Sequence, residues 1–374
     1  MLKGFHLSVM IGPAVPIPVS QAVLDSITSV SVTSNTEGPS VFQITFALDK
    51  RSPLHTLFLL TGGAAIPLVR VVLVAIVNGA AEVLMDGVMT NHQIGSGAGG
   101  QPVLTVIGED LSRVMDYIDF SGTPFPAMPA EARVLLILAK YAVFGIVPMV
   151  IPSVMIDVPV PTDWIPRQEG KDLAYVRKLA DDVGYVFYVD PGPKPGMSIG
   201  YWGPQIKIGP PQPALTVDMD VHTNVETLSF QYAAQTKKLP IVFIQEENSK
   251  VPLQIPIPDI SPLNPPLGII PAIPTDTAPI RGTAKLPPVR AVLLGIAKAS
   301  QSADVVTGTG TLDVLRYGRL LKARRLVGVR GAGHAFDGLH FVKSVTHEIK
   351  RGEYKQNFTL SRNGLLSTVP QVPA

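Results

Sequence analysis

Between residues 169 and 193 a helical pattern runs into a β-type run with no linker, and no other stretch restricts this chain's fold so tightly. Leu173, Val176, Ala180 and Val183 share one helical face; Asp172 stands where it can cap the start and Gly184 where it can close the end. Residues 185–189 follow as a compact strand. Asp190, Pro191 and Gly192 then supply turn chemistry, because proline presets φ and glycine accepts positive φ. One cohesive αβ unit is expected. It holds no nucleophile, metal cluster or phosphate loop, so it reads as a packed connector between two β-rich halves.

The first third is β-patterned. Residues 41–47 alternate, with Phe42, Ile44 and Phe46 on one face and Gln43 and Thr45 on the other, and 27–33 repeat the pattern more weakly. Residues 69–77 are apolar on both faces except at Arg70, and Asn78-Gly79 leads into 81–86, which predicts a buried hairpin. Strands over 88–94 and 102–107 continue the series across a glycine-rich loop at 95–100. Short strands at this spacing point to a small β-barrel or sandwich whose edges pair with another chain. Gly95, Gly97 and Gly100 also spell GxGxxG. A dinucleotide fingerprint must open a helix, whereas Pro102 and another β-type run follow here, so the loop reads as a hairpin connection.

Leu111, Val114, Met115 and Ile118 recur at helical spacing, and a second helix is expected over 130–141 after Pro129. The apolar run 134–156 is long enough to raise the question of a membrane span. Lys140 lies within it, and Gly145, Pro148 and Pro152 break it, so it reads as a helix plus an extended segment buried in an assembly. Membrane docking or insertion through 134–156 is the alternative. Residues 157–166 form a proline-spaced extended linker.

In the C-terminal half, Asp218, Asp220 and Asn224 lack the glycine and glutamate spacing of a calcium loop and read as solvated groups at a β edge. Residues 251–289 are dense in proline and predict an extended loop laid across a protein surface, since their Ile and Leu content is too high for a free linker. A helical patch over 290–300, a turn at Gly308 and Gly310, and strands over 322–330 and 339–344 follow. Val345, His347 and Ile349 then alternate with Thr346, Glu348 and Lys350, and beyond Arg351 the alternation resumes at Tyr354, Gln356, Phe358 and Leu360, making a terminal hairpin. His334, Asp337 and His340 invite a metal or acid–base reading. Alternation along a strand leaves His340 and His347 poorly placed to converge, and no nucleophile, base and orienting group stand together, so no catalytic, cofactor or metal residue is assigned and no enzyme is expected.

Composition sets the scale. A chain of 374 residues accommodates two or three domains. With 46% hydrophobic and 16% charged residues, and a mean hydropathy of +0.29, it carries more apolar material than a self-contained soluble monomer displays, so a membrane or a large partner surface should cover the excess. A net charge of +2 argues against nucleic-acid binding. The absence of cysteine excludes disulfides, thiolate catalysis and cysteine-ligated metal. No signal peptide is read in the proline-broken N-terminus.

The wording of residues 173–204, LAYVRKLADDVGYVFYVDPGPKPGMSIGYWGP, resembles the phage late control protein D family, the baseplate hub proteins of contractile tails and injection systems. The likeness runs from residue 138 to 193, continues through YWGPQIKIGPPQPALTVDMDVHTNVETLSF, and returns in the closing hairpin VTHEIKRGEYKQNFTLSRNG. It implies a mainly β, α+β chain: a barrel-like domain over 1–115, an αβ connector over 116–214, and a second barrel-like domain over 215–374 interrupted by the proline-rich insertion. It also implies a homotrimer, a ring matching a sixfold inner tube to a threefold central spike, with tube-initiator and baseplate wedge proteins as further partners. Synthesis in a bacterial cytoplasm, no cofactor, no stable membrane insertion and a spike on a separate polypeptide complete the expectation.

Overall fold

The computed structural model describes residues 4–13, 15–36, 38–48, 68–97, 100–153, 158–162, 165–245, 252–257, 265–274, 276–280, 283, 291–292, 294–296, 299, 304–369 and 372. The first third supplies seven strands: β1 (Phe5–Gly12), β2 (Ile17–Pro18), β3 (Ile27–Asn35), β4 (Val41–Ala47), β5 (Arg70–Val77), β6 (Ala80–Ser96) and β7 (Pro102–Asp110). They are antiparallel neighbours in the order β3-β4-β7-β6-β5-β1-β2. The two strands expected over 81–86 and 88–94 are one, β6. Register shifts opposite Leu73/Val74 and between Met89 and Asn91 bend it without ending it. Arg70, the polar exception in an apolar strand, is buried with Asp86; two bonds of 2.7 Å join the guanidinium and carboxylate.

Three strands build the connector sheet: β8 (Ile146–Val150), β9 (Val186–Pro191) and β10 (Ser198–Gly203), in the order β8-β10-β9. The helices Ala130–Ala139 and Asp172–Val183 pack on it around Val134, Ile137, Leu138, Val176 and Trp202. Gly184 ends the second helix at φ 71°, and the Tyr185 N–H bonds Ala180 O at 2.7 Å, so the glycine stop holds. Asp190 and Pro191 belong to β9, and the turn begins at Gly192, whose N–H donates to Met197 O. The apolar run breaks as its glycine and prolines require: helix to Ala139, a 3-10 turn at Ala142–Phe144, Gly145 at φ 77°, then β8. Residues 154–157 lie outside the described residues. Among the described residues no helix is long and apolar enough to cross a membrane. The helix expected from Leu111 is a 3-10 turn, Leu111–Asp116, capped by Asp110, whose carboxylate accepts from the Ser112 N–H.

The remaining strands are β11 (Gln212–Thr216), β12 (Val225–Tyr232), β13 (Lys238–Gln245), β14 (Pro252–Pro256), β15 (Gly268–Pro271), β16 (Asp276–Ile280), β17 (Val306–Asp313), β18 (Leu326–Arg330), β19 (Gly338–Lys350), β20 (Glu353–Arg362) and β21 (Gly364–Ser367). Gly308 and Gly310 sit inside β17 rather than in a turn. A Cβ there would meet the rings of Phe230 and Phe358 at 2.5 and 2.6 Å, so glycine makes room for aromatic rings lying on the strand. The described strands of the proline-rich insertion are paired rather than forming a bare loop. β14, β13 and β16 form a small sheet with Val242, Ile244 and Ile257 beneath it, and β15 pairs with β21. Its prolines at 252, 256 and 279 fall on the outer strands, where a missing N–H breaks no ladder. The described positions of the patch over 290–300 are helical.

The expected pair of separate barrels takes a different form. β12-β17-β20-β19 form the second half, with β18 on the early part of β19 and β11 parallel to β18. Past a register shift between Val342 and Ser344, β19 pairs instead with β3, from Ser344 opposite Asn35 to Lys350 opposite Ser29. Thirteen strands therefore form one sheet, with no closed barrel among the described residues. One core lies against it, drawing Phe42, Ile44, Val71 and Leu73 from the first half and Val345, Tyr354, Phe358 and Leu360 from the second.

Candidate functional site

Asp172 is not a cap. Lys171 occupies that position, and Asp172 is fully buried one residue inside the helix. Its carboxylate accepts from Gln168 Nε2 at 2.6 Å, Tyr141 Oη at 2.7 Å and Lys140 Nζ at 3.1 Å. Lys140, the charge that interrupts the apolar run, is thus a partner for a buried acid, and its ammonium also lies 4.1 Å from the centre of the Phe120 ring. Burial, reinforced by the bond to Asp172, pushes the Tyr141 hydroxyl pKa far up, so it stays a donor. The cluster locks two helices together; sequence spacing misses it because 32 residues separate Lys140 from Asp172.

The histidine-bearing region is also engaged structurally. His334 is exposed, and Asp337 accepts from the Ala332 N–H at 2.8 Å. His340 has no exposure; its ring centre lies 5.1 Å from that of Phe230, which stacks on Phe336 at 5.0 Å. Burial, then the nearby Arg362 charge, bring its pKa down to about 3. Buried Arg362 donates to the carbonyls of Ala335, Asp337 and Gly364, holding the turn before β19. His347 lies elsewhere on β19, bonded through Nδ1 to Tyr354 Oη at 2.8 Å, and burial lowers its pKa to about 4. The two imidazoles occupy separate clusters. Among the described residues no group of three His, Asp or Glu side chains could hold a metal.

Asp218 and Asp220 are exposed at φ 54° and 50°. Asn224 alone of that trio is employed: its amide accepts from the Thr216 N–H at 2.8 Å and donates to Ala214 O at 2.9 Å. It satisfies the outer edge of β11 as a neighbouring strand would. Gly95, Gly97 and Gly100 belong to the β6–β7 hairpin, where the Gly97 N–H donates to Gln101 O.

Arg324 joins three parts of the molecule. Its guanidinium donates to Asp190 of β9 and to the Asn35 carbonyl of β3, and lies 4.1 Å over the ring of Tyr188, which stacks on Tyr201. Burial raises the Tyr201 pKa to about 12. Arg324 has φ 62°, in the loop where the sequence predicts strand.

Most of the exposed large apolar side chains among the described residues lie outside the thirteen-stranded sheet, Ile94 on β6 and Val41 on β4 being exceptions. In the connector they include Leu135 and Leu136 on the first helix, Val143 at 72% exposure, and Val147 and Met149 on β8. β8 is an outer strand carrying Pro148, which blunts its free edge against strand pairing while leaving the side chains available. In the insertion Ile269, Ile270 and Ile273 are exposed, the last at 80%.

The sequence matches no protein-family model and no curated protein. Solved structures share its fold over the whole length. The tail protein of Neisseria meningitidis MC58 is 14% identical with a TM-score of 0.63, over 97% of this chain and 98% of that one. The 43 kDa tail protein of prophage MuSo2 from Shewanella oneidensis is 12% identical with a TM-score of 0.61, over 96% and 99%. A chain of the lidded PdpA–VgrG complex of Francisella is 7% identical with a TM-score of 0.59, over 100% of this chain and 55% of that one.

Proposed function

We propose that this chain is a structural baseplate hub of a contractile, phage-tail-like injection particle, three copies forming a ring between a sixfold inner tube and a threefold central spike. The observation that carries this reading is the fold shared from end to end with two tail proteins. The large sheet supports it: each chain has a half of seven strands and a half of six, joined edge to edge through β3 and β19, so three chains would present six β-rich halves to a sixfold tube. A closed ring also gives head-to-tail contacts to cover the apolar side chains of the connector and insertion.

In this reading the units are 1–115, 116–214 and 215–374, and the partners are the spike, the tube or its initiator, and the wedge proteins. The chain is made in a bacterial cytoplasm and ends in the particle. It performs no reaction, and neither nucleic acid nor membrane holds it. The test is mass measurement of the purified chain, alone and with its tube and spike proteins. A trimer is expected at least in the presence of both partners; a chain that remains monomeric with them overturns the ring.

A further inference from the structure

Where the β5–β6 hairpin, the turn after β9 and the loop entering β18 meet, a cavity of about 390 Å3 opens. Glu82, Asp190, Lys322, Arg324, Arg325 and His347 are on its wall. Four of the five formal charges are already matched. Lys322 Nζ lies 2.6 Å from Glu82 Oε2, and Arg324 bonds Asp190. Arg325 is left over, exposed and in no ion pair among the described residues.

The second feature is His347, only 6% exposed yet lining this cavity. Its proton can be placed from its neighbours. Gln356 has a fixed amide orientation, because its Oε1 accepts from the Leu321 N–H at 2.9 Å and its Nε2 donates to Leu321 O at 2.8 Å. That same Nε2 faces His347 Nδ1 at 3.4 Å, and Tyr354 Oη lies 2.8 Å from it. Donors directed at Nδ1 make it the acceptor, so the ring proton sits on Nε2. Among the described residues none accepts from Nε2, which is not sealed from solvent. Burial keeps the ring neutral near pH 7, which preserves this single N–H donor.

An unmatched guanidinium and a partnerless N–H on one cavity wall ask for an acceptor with negative charge. A cation would leave both unsatisfied, and a neutral ligand would leave the charge unmatched. We infer that the junction cavity binds a small oxyanion, of phosphate or carboxylate type, between Arg325 and the Nε2–H of His347. The bound anion would brace three segments distant in sequence, and binding confined to the folded state would raise stability. This site stands whether or not the chain forms a ring.

The test uses the full chain, with calorimetric titration and thermal unfolding in sodium phosphate, sodium acetate and sodium chloride at matched ionic strength near pH 7.5. Phosphate or acetate should raise the unfolding midpoint above that in chloride; a response to phosphate alone marks the phosphate type, and a response to acetate alone the carboxylate type. R325Q, a change at an exposed position, should keep the midpoint in chloride and bind the responding anion at least about tenfold more weakly, as expected for a lost charge-assisted bond. Responses no different from chloride, or R325Q binding as tightly as the parent chain, would overturn the inference.

Discussion

The large sheet and the αβ connector finish their outer surfaces in opposite ways. On the sheet, hydroxyl and amide side chains face outward and bond across strands: Thr33 with Thr346 and Ser229 with Thr309 at 3.0 Å, and Thr311 with Asn357 at 2.7 Å. The connector instead turns Leu135, Leu136, Val143, Val147 and Met149 outward, while its interior holds the buried acid Asp172. Strand alternation sorts polar from apolar residues cleanly when one face meets solvent. A small helix-covered sheet with apolar side chains on its outside is built to be covered again. The apolar excess of the composition is therefore concentrated in the connector and insertion, where contacts between proteins belong.

The sharpest way to break this contrast is L138D. Leu138 is fully buried in the connector core, and a charge there should cost on the order of 5 kcal/mol or more. Hydrogen exchange should show β8 to β10 losing protection while β3 and β19 keep theirs; simultaneous loss would mean the two regions are one cooperative unit.

A smaller effect tests the sheet. His340 and His347 are buried and neutral when folded, with pKa values lowered to about 3 and about 4, whereas unfolded histidine takes up a proton near pH 6.5. Their contribution is complete above that pH and is lost as pH falls towards 4. Urea unfolding should show a loss of roughly 4 kcal/mol between pH 7 and pH 5 from the pair, and replacing both with Gln should flatten that slope.

D172A tests whether the connector's polar interior is a lock. Gln168, Tyr141 and Lys140 would lose their common acceptor, at a cost of roughly 3 kcal/mol by denaturant titration, since Lys140 retains some solvent. D172N, which keeps an acceptor oxygen, should lose less.

The smallest stability change should come from the double substitution V147S and M149S, within about 0.5 kcal/mol, because both side chains already face solvent. Its consequence should appear in assembly, as weakened association with tube and spike proteins by analytical ultracentrifugation. Unchanged association would remove this face from the interfaces.

Much of the molecule is legible residue by residue. Phe42, Ile44 and Phe46 point inward as their spacing requires, Asn78-Gly79 turns the β5–β6 hairpin, and Gly184 stops its helix. Other readings failed because the deciding partner is remote. Gly308 and Gly310 resemble a turn until Phe230 and Phe358 are seen lying over them, and Asp172 resembles a cap until Lys140 and Tyr141 arrive. In the candidate sites, the exposed apolar run of the connector was announced by composition, whereas the cavity beside His347 was not, because its walls come from three separated segments.

The sequence by itself determined the mainly β character, the αβ unit, the breaks in the apolar run and the inward face of most strands, because period, proline and glycine act within a few residues. Only the tertiary structure decided that β3 pairs with β19 across roughly 300 residues of chain, joining two expected barrels into one sheet, and that Arg324 clasps both to the connector. Alternation tells a strand which face to bury, but it does not name the neighbour. That choice falls to the register and packing of strands that meet only when the chain has collapsed.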